Sequence, residues 1–348
     1  MKHKKNIILV TPFLSSFIKN DIAILETEYK VTINTYNWKN KTLAPWFLLL
    51  QFFFLLFKLS RASRVVVEFG GYWSVLPSVL GKLFGVPVFI ILHGTDCASI
   101  PELNYGSLRK KYIKKGCQVS YKNATKLLPV SESLVYVENS FQKDISNRQG
   151  YKQFFPEIKT PYEVVFNGID EDYWKTSQKN IKEEKSFLAV FSEDQFYLKG
   201  GDMIFEVAEM FPNCKFRIVG ISEEYHADKP ENVELLGRLS LDGLKEQYQK
   251  SQFYFQLSVI EGFGVALCEA MLCECIPLGS SVNFIPEIIG DTGFILKEKD
   301  VELLSQIVSN ALEVENKKKL GEDARKRIIS NFSFDERRKK LLSVLNKY

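Results

Sequence analysis

Short apolar runs alternate with helix-length segments along the first half of the chain. The runs are rich in valine and isoleucine, which favour strands, and each is followed by a segment with the composition of a helix. This alternation is typical of parallel α/β sheets, in which a helix connects each strand to the next. We predict strands at 6–10, 31–35, 65–69, 86–92, 126–130 and 163–166, and helices near 15–28, 44–60, 73–84, 107–122 and 132–142.

A polar stretch rich in lysine and glutamate, 170–185, interrupts the pattern, and a second α/β series follows it. Because 348 residues exceed the size of one ordinary core, the stretch is predicted to link two domains. Doubly wound sheets bind ligands at the carboxyl ends of their strands. We therefore expect the catalytic and ligand-binding residues in the strand-to-helix loops that line a cleft between the domains. The second series has predicted strands at 187–191, 215–219, 233–236, 253–257, 276–278 and 293–296, helices near 201–211, 240–249, 264–274 and 300–315, and a last helix at 334–348.

Composition excludes several classes of protein. With 45% hydrophobic and 25% charged residues, the chain resembles ordinary globular proteins and not disordered or fibrous ones. Its six cysteines form no C-x-x-C pair and it has three histidines, so a structural zinc site is not expected. Cysteines scattered through apolar runs are typical of reduced core residues, which predicts a cytoplasmic protein.

Charge is distributed unevenly along the chain. Residues 1–165 contain 22 Lys and Arg against 11 Asp and Glu, a net charge of +11, whereas the remainder contains 24 against 31, a net charge of −7. This asymmetry predicts either an anionic partner for the first half or a solvated basic face.

Two segments of the first half together favour an anionic membrane surface as that partner. Five basic residues lie on one predicted helix between Arg109 and Lys115, and an uncharged, largely apolar stretch occupies 42–57. At 1.5 Å per residue the stretch spans about 24 Å, less than a hydrocarbon core of about 30 Å, so we predict a core or interfacial helix and not a membrane span. Nucleic acid would attract the same charges, but no nucleic-acid-binding motif accompanies them, and we expect no such partner.

The segment from Ser258 to Gly279 carries the clearest signal of a site, because it joins a strand end, a glycine loop and a helix. Gly262 and Gly264 allow a ligand to approach the backbone closely, and the following helix presents free N–H groups, so the loop is predicted to bind phosphate. Glu261 precedes the loop and Glu269 follows eight residues later. Carboxylates in these places are suited to accept hydrogen bonds from sugar hydroxyls on either side of a diphosphate.

Glu261 and Glu269, with seven residues between them, resemble the E-x7-E signature of retaining glycosyltransferases of family 4, which have the GT-B fold. Other pieces of the chain resemble further motifs of the family, in the family's order. They are His93-Gly94-Thr95-Asp96, Pro129-Val130-Ser131, Val165-Phe166-Asn167-Gly168-Ile169-Asp170, Lys199-Gly200 and Leu236-Gly237. The resemblance therefore extends over most of the chain.

The resemblance implies an α/β GT-B fold with two Rossmann-like, doubly wound domains facing a central cleft. Residues 1–168 would form the acceptor-side domain and 169–333 the domain that binds the nucleotide sugar. The helix at 334–348 is a candidate to return to the first domain.

The resemblance also implies roles for the matched residues. Glu261 would contact the donor sugar, Glu269 the nucleotide ribose and Lys199 the diphosphate, while His93 would point toward sugar and acceptor. The candidate catalytic residues are Glu261, Lys199 and His93, and the candidate substrate-binding residues are Gly262, Phe263, Gly264, Glu269, Arg238, Asn167 and Asp96. The family implies no metal, no cofactor and no protein nucleophile, because the leaving phosphate takes the proton of the acceptor.

One departure from the family pattern concerns the diphosphate. The family places an arginine about half a dozen residues before the lysine, whereas 192–198 reads SEDQFYL, with Glu193 and Asp194 where positive charge is expected. Arg238 is the candidate to supply the missing charge.

Two other motifs are set aside. Asp170-Glu171-Asp172 has the D-x-D form of a metal site but follows the hinge motif instead of a nucleotide-binding half-domain. Gly262-Phe263-Gly264 begins a dinucleotide fingerprint, but Leu267 occupies the place of the third glycine.

We therefore predict a metal-independent, retaining hexosyltransferase of cell-surface polysaccharide synthesis. Its donor is a nucleoside diphosphate sugar, with UDP the first candidate and GDP the second, and its acceptor is a hydroxyl of a glycan or lipid-linked glycan. The predicted location is the cytoplasm, at the inner face of the plasma membrane. The alternatives are a non-catalytic GT-B protein that binds nucleotide or glycan, and a GT-B sugar-nucleotide epimerase.

Overall fold

The computed structural model describes residues 4–176, 181–225 and 228–348. The predicted linker at 170–185 is therefore described in part, and His3 and His226 lie outside the described residues. The chain divides into two units, of which unit 1 comprises Met1–Glu138, Arg148–Gly168 and Phe334–Tyr348, and unit 2 comprises Asn139–Asn147 and Ile169–Ser333.

Unit 1 is built on a parallel sheet whose described strands have the order β2-β1-β3-β4-β5. Its strands are β1 (Lys5–Thr11), β2 (Tyr29–Thr35), β3 (Arg64–Glu68), β4 (Val88–Leu92) and β5 (Lys126–Pro129), with a separate antiparallel pair of β6 (Val137–Glu138) and β7 (Arg148–Gln149). Its helices are α1 (Ser16–Glu28), α2 (Ala44–Lys58), α3 (Val75–Leu83), α4 (Lys111–Asn123), α5 (Tyr151–Phe154) and, after unit 2, α12 (Phe334–Asn346). Helices cover both faces of the sheet, which is why its inner strands consist of continuous Val and Ile runs.

The handedness of the connections decides which face each helix covers. Right-handed crossovers from β2 to β3, β3 to β4 and β4 to β5 place α2, α3 and α4 on one face, where α3 packs against the other two. The crossover from β1 to β2 runs the opposite way and places α1 on the other face, where it packs against α12. Arg337 of α12 fixes this return, since it binds both carboxylate oxygens of Asp21 at 2.5 Å and the carbonyl oxygens of Val165 and Phe166.

Two predictions for unit 1 differ from the structure. The segment 163–166 bonds to β5 through the N–H groups of Glu163 and Val165, both at 3.0 Å, but forms no named strand because Pro129 has no N–H to continue the ladder. The predicted helix at 132–142 is a 3₁₀ turn, Glu132–Leu134, that leads into β6. Valines at 135 and 137 favour the extended pairing.

Unit 2 is built on a second parallel sheet, whose described strands have the order β10-β9-β8-β11-β12-β13. Its strands are β8 (Glu183–Val190), β9 (Lys215–Val219), β10 (Val233–Leu235), β11 (Ser251–Gln256), β12 (Ile276–Ser280) and β13 (Phe294–Leu296). Its helices are α6 (Gly201–Met210), α7 (Leu241–Lys250), α8 (Val265–Leu272), α9 (Ile285–Ile289), α10 (Val301–Glu313) and α11 (Lys317–Phe332).

Unit 2 also contains features that are not predicted from the sequence. Residues 139–147, assigned there to the first domain, belong to unit 2 because Asn139 bonds to Asn283 at 3.1 Å and the carbonyl of Phe141 accepts the N–H of Lys299 at 2.8 Å. The helices α9 and α11 are unpredicted too. α11 is dominated by charged residues, and its buried stripe of small and apolar side chains is sparse.

One helical stretch in the described residues is long and apolar enough to cross a membrane by length and composition alone. It is Ala44–Arg61, with a mean hydropathy of 1.3, of which 17% is buried.

Candidate functional site

Glu261 lies in the loop between β11 and α8, at the carboxyl end of the sheet of unit 2. Its Oε2 atom accepts hydrogen bonds from Lys199 Nζ at 2.6 Å, from Gln256 Nε2 at 2.7 Å and from Ser258 Oγ at 3.3 Å. Its Oε1 atom accepts the N–H of Gly262 at 3.1 Å. The carboxylate is therefore held in one orientation by donors on both oxygens.

Lys199 reaches Glu261 because two strand-to-helix loops lie against each other. β8 and β11 are neighbours in the sheet, and the N–H of Val259 donates to the carbonyl of Leu198 at 2.9 Å. Gly200 follows the lysine with φ of +75°, and a Cβ atom there would lie 2.8 Å from the carbonyl oxygen of residue 257. Glycine is therefore required for the backbone conformation and for the close approach.

The N-terminus of α8 lies in the same loop as Glu261. Gly264 precedes the helix with φ of +112°, and in the described residues no side chain caps the first turn, which also lacks acidic residues. Free N–H groups and the positive end of the helix dipole suit an anion. The fold therefore offers a phosphate a backbone site beside the Lys199 ammonium.

Phe263 has a different place from the one expected. Its ring packs against Phe284 and Phe332, at centroid distances of 5.9 and 5.5 Å, and is 3% exposed. Phe263 is predicted from the sequence to bind substrate, but its side chain belongs to the core of unit 2.

Glu269 is the fifth residue of α8, a little over one turn after the glycine loop. Burial raises the pKa of its carboxyl to about 8, although the hydroxyl of Tyr248 donates to Oε2 at 3.3 Å and opposes the rise. At pH 7 the carboxyl is therefore mostly protonated in the ligand-free protein. A ligand that donates hydrogen bonds to this group would favour its ionised form.

A cavity of about 570 Å³ opens at the carboxyl ends of β8 and β9. Ser192, Glu193, Asp194 and Arg238 are among its lining residues. The two acidic side chains are engaged within the loops, since Glu193 Oε1 accepts the hydroxyl of Ser222 at 2.9 Å and Asp194 Oδ1 accepts that of Ser192 at 2.5 Å. Arg238 is exposed at the same cavity, which has the size of a small-ligand site.

In unit 1, His93 follows β4 and its ring lies against that of Phe69, at a centroid distance of 4.3 Å. Its Nε2 atom lies 2.7 Å from Glu68 Oε2, at the end of β3. Burial lowers the pKa of His93 to about 4 and raises the pKa of Glu68 well above its usual range. Burial therefore favours the neutral form of both groups, and the two side chains share one hydrogen bond.

Asp96 shapes the loop that carries His93. It is 1% exposed, its Oδ1 accepts the N–H groups of His93 at 3.1 Å and Gly94 at 3.0 Å, and its Oδ2 accepts the N–H of Gly70 at 2.8 Å. Asp96 is predicted from the sequence to bind substrate. The structure assigns its carboxylate to positioning the backbone.

Asn167 is buried in the segment that leads out of unit 1, and among the described residues its Oδ1 atom has no hydrogen-bond partner. Asp170 Oδ1 accepts the N–H groups of Asp172 and Tyr173 at 3.1 and 2.9 Å, which explains the D-x-D sequence as a turn. Within the described residues no group of three or more His, Cys, Asp or Glu is placed to hold a metal ion.

Three side chains that orient the candidate residues are not predicted from the sequence: Glu68, Gln256 and Tyr248. Glu68 has a signal in the sequence, because a charged residue ends the apolar run Val65–Val67 where it would be buried. Gln256 ends the strand that leads to Glu261, and Tyr248 reaches Glu269 from another helix; neither residue has a distinguishing signal in the sequence.

Residues 172–327 match the model of a protein family described as glycosyl transferases group 1. The matched range lies within unit 2 and contains Lys199, Arg238, Glu261 and Glu269. Unit 2 therefore carries a glycosyl transferases group 1 domain.

The chain is similar to two curated relatives over alignments that are longer than either unit. The chain is 24% identical over 279 residues to an uncharacterized glycosyltransferase of Methanocaldococcus jannaschii, which covers 74% of this chain and 68% of that protein. It is 27% identical over 270 residues to N-acetyl-alpha-D-glucosaminyl L-malate synthase of Bacillus anthracis, covering 71% of this chain and 64% of that protein. The match thus spans less than two thirds of the Bacillus protein.

The chain is also similar to the crystal structure of HepE from Anabaena in complex with UDP. The TM-score is 0.72 at 14% identity, over 99% of this chain and 100% of that one. At this identity the likeness shows the fold alone, and it confirms the predicted α/β GT-B fold.

Proposed function

We propose that this chain, which carries a glycosyl transferases group 1 domain at residues 172–327, moves a hexose from a nucleoside diphosphate sugar to a hydroxyl of a glycan or lipid-linked acceptor. The Lys199–Glu261 pair, 2.6 Å apart beside the free N-terminus of α8, carries the proposal. A cation and a helix N-terminus suit a diphosphate, and an adjacent carboxylate suits sugar hydroxyls.

In the proposed reaction the acceptor oxygen forms a bond to the anomeric carbon while the bond from that carbon to the phosphate oxygen breaks. The acceptor's proton moves to the leaving phosphate, and the configuration is retained. Negative charge develops on the diphosphate, where Lys199 and the N–H groups of α8 stabilise it without a metal ion. An ammonium has three N–H donors, so Lys199 can bind a phosphate oxygen and keep its bond to Glu261.

Arg238 is proposed to supply the charge that the family places before the lysine. It lines the same cavity as Ser192–Asp194, where the family's arginine is missing, and the neighbouring acidic side chains are already engaged by serine hydroxyls. This cavity is proposed to hold the nucleotide base and Glu269 to bind the ribose. The similar HepE structure holds UDP, which supports UDP as the first nucleotide to test. GDP is the second.

Unit 1 is proposed to serve the acceptor. His93 has a neutral, oriented imidazole, and Asn167 presents a buried carbonyl oxygen that lacks a partner among the described residues. We place the protein in the cytoplasm, at the inner face of the plasma membrane, where lipid-linked acceptors are assembled.

Thermal denaturation with UDP, GDP and ADP tests the donor site. UDP at 100 times its Kd is expected to add about 2.7 kcal/mol of stability. Release of UDP from a UDP-hexose panel is then measured with lipid-linked glycans, alkyl glycosides and, because the Bacillus relative is named for it, L-malate. Release that depends on an acceptor supports a transferase, and retention of anomeric configuration in the product is read by NMR.

A non-catalytic binding protein is the alternative that the missing arginine favours. It predicts stabilisation by UDP with no release of UDP under any acceptor condition. An epimerase would release UDP or interconvert sugars without an acceptor. Formation of a product with inverted configuration would contradict the proposed mechanism.

A further inference from the structure

One face of unit 1 exposes large apolar side chains in the described residues. On α2, Trp46 is 57% exposed, Phe53 48% and Phe57 73%, and at the end of α3, Leu83 is 74% and Phe84 50% exposed. Because both helices run antiparallel to the strands that they connect, their C-terminal ends lie at the same edge of the sheet. Apolar patches of this kind mark surfaces that meet a partner or a membrane.

The inner side of α2 fixes how the helix lies. Gln51 and Leu55 are buried, and Gln51 Nε2 donates to Asn34 Oδ1 at 3.0 Å and to the carbonyl of Trp73 at 3.1 Å. Although the stretch Ala44–Arg61 is long and apolar enough to cross a membrane by length and composition alone, the buried contacts of Gln51 and Leu55 hold α2 on the sheet, where it does not span. It is suited to lie along an interface with its outer side in the apolar phase.

Charge is segregated on the same face. The helices α2, α3 and α4 contain no Asp or Glu, and together they carry exposed lysines at 58, 82, 111, 114, 115 and 122. Lys39, Lys41 and Arg61 flank α2 and are exposed too. The opposite face differs, because α1 and α12 contain acidic residues among their basic ones.

We propose that this helix layer, α2 with α3 and α4, docks unit 1 on an anionic membrane surface. The apolar side chains of α2 and the end of α3 enter the boundary between headgroups and acyl chains, and the lysines contact lipid phosphates. The inference deepens the proposed location and does not depend on the proposed reaction.

Charge decides between a membrane and other occupants of this face. A second copy docked through the same face would bring two layers without acidic residues together, which like charges oppose. The phosphates of a nucleic acid would pair with the lysines, and its bases would stack on aromatic rings. However, Leu49, Leu56 and Leu83 are exposed on the same face and offer no stacking surface. An anionic bilayer satisfies the apolar and the basic side chains together.

Flotation with vesicles of phosphatidylcholine alone, or mixed equally with phosphatidylglycerol, tests the proposal at 50 mM salt. The protein is expected to float with the anionic vesicles at least tenfold more than with the neutral ones. Salt at 1 M, where the Debye length is about 3 Å, should weaken binding at least tenfold. Equal binding to both vesicles, or no binding to either, would overturn the proposal.

Matched variants assign the binding to the helix layer. Lys111, Lys114 and Lys115 changed together to Glu should weaken binding at least 100-fold, whereas Lys297, Lys318 and Lys326 of unit 2, changed in the same way, should not. Phe53→Glu with Phe57→Glu should abolish binding, whereas Leu241→Glu, at an exposed apolar side chain of unit 2, should leave it unchanged. Stabilisation by UDP reports whether unit 2 is intact in each variant. Equal losses in the control variants would overturn the assignment.

Trp46 is a built-in probe of this contact. The other tryptophans, Trp38, Trp73 and Trp174, are each at most 9% exposed. Binding to anionic vesicles should shift the emission of the protein to shorter wavelength, and brominated lipids should quench it. Trp46→Phe should remove both changes and still float. A shift in emission that appears without lipid as the protein concentration rises would show self-association and overturn the proposal. RNA that binds the protein, prevents its flotation and leaves the emission of Trp46 unchanged would overturn it too.

Discussion

The protonation of Glu269 provides the sharpest test of the proposed donor site. The carboxyl has a pKa of about 8 because it is buried, so at pH 7 roughly nine in ten molecules carry it protonated. Ribose hydroxyls donate hydrogen bonds, and a carboxylate accepts them better than a carboxylic acid does. Binding of the donor should therefore require the ionised form.

The magnitude follows from the pKa. If the ionised form alone binds, the affinity for UDP-glucose should fall about tenfold for each pH unit below 8, or about 1.4 kcal/mol per unit, and should level off above it. UDP-glucose is the proper ligand because its diphosphate has no group that titrates in this range. Binding at pH 7 should release about 0.9 proton, as expected for a group of pKa about 8 that becomes ionised.

Isothermal titration calorimetry between pH 6.0 and 8.5 measures the affinity, and buffers of different ionisation enthalpy measure the released proton. Glu269→Gln should bind weakly with little dependence on pH and release no proton. Glu209→Gln, at an exposed glutamate on α6, is the control and should behave as the wild type. A wild-type affinity that is flat across this range would refute the reasoning, as would a Glu269→Gln variant that keeps the same pH dependence.

Three further predictions concern the charged groups. Glu261→Gln and Lys199→Ala should each reduce turnover at least about 100-fold in a folded protein. The control Glu298→Gln, in an exposed lysine–glutamate pair of the same unit, should change turnover less than twofold. Near wild-type turnover in either site variant would remove that residue from the site. EDTA should leave turnover unchanged, because a lysine and a helix N-terminus supply the positive charge, and a strict requirement for Mg²⁺ or Mn²⁺ would bring Asp170 and Asp172 back as ligands. Glu68→Gln can still donate a hydrogen bond to His93 and should keep turnover within about threefold of the wild type. Glu68→Leu should lower kcat at least tenfold with little change in KM. Equal losses in both variants would show that the contact acts through folding alone.

The sequence by itself determined the class of fold and the local parts of the site. Alternating strand and helix patterns depend on residues a few positions apart, so they predict most elements of both sheets. The glycine loop before α8 and the eight-residue spacing from Glu261 to Glu269 are local as well. Predictions failed where the pattern was weak or its partner distant, as at 132–142 and in the charged helix α11.

Tertiary structure decided how those parts work. Lys199 and Glu261 meet across 62 residues because β8 and β11 are neighbours in the sheet, an order that no local pattern specifies. The pKa of Glu269, the orientation of His93 by Glu68, and the place of Phe263 in the core depend on what surrounds each side chain after folding. The handedness of the crossovers placed α2, α3 and α4 on one face, which turned basic and apolar segments far apart in the chain into one surface.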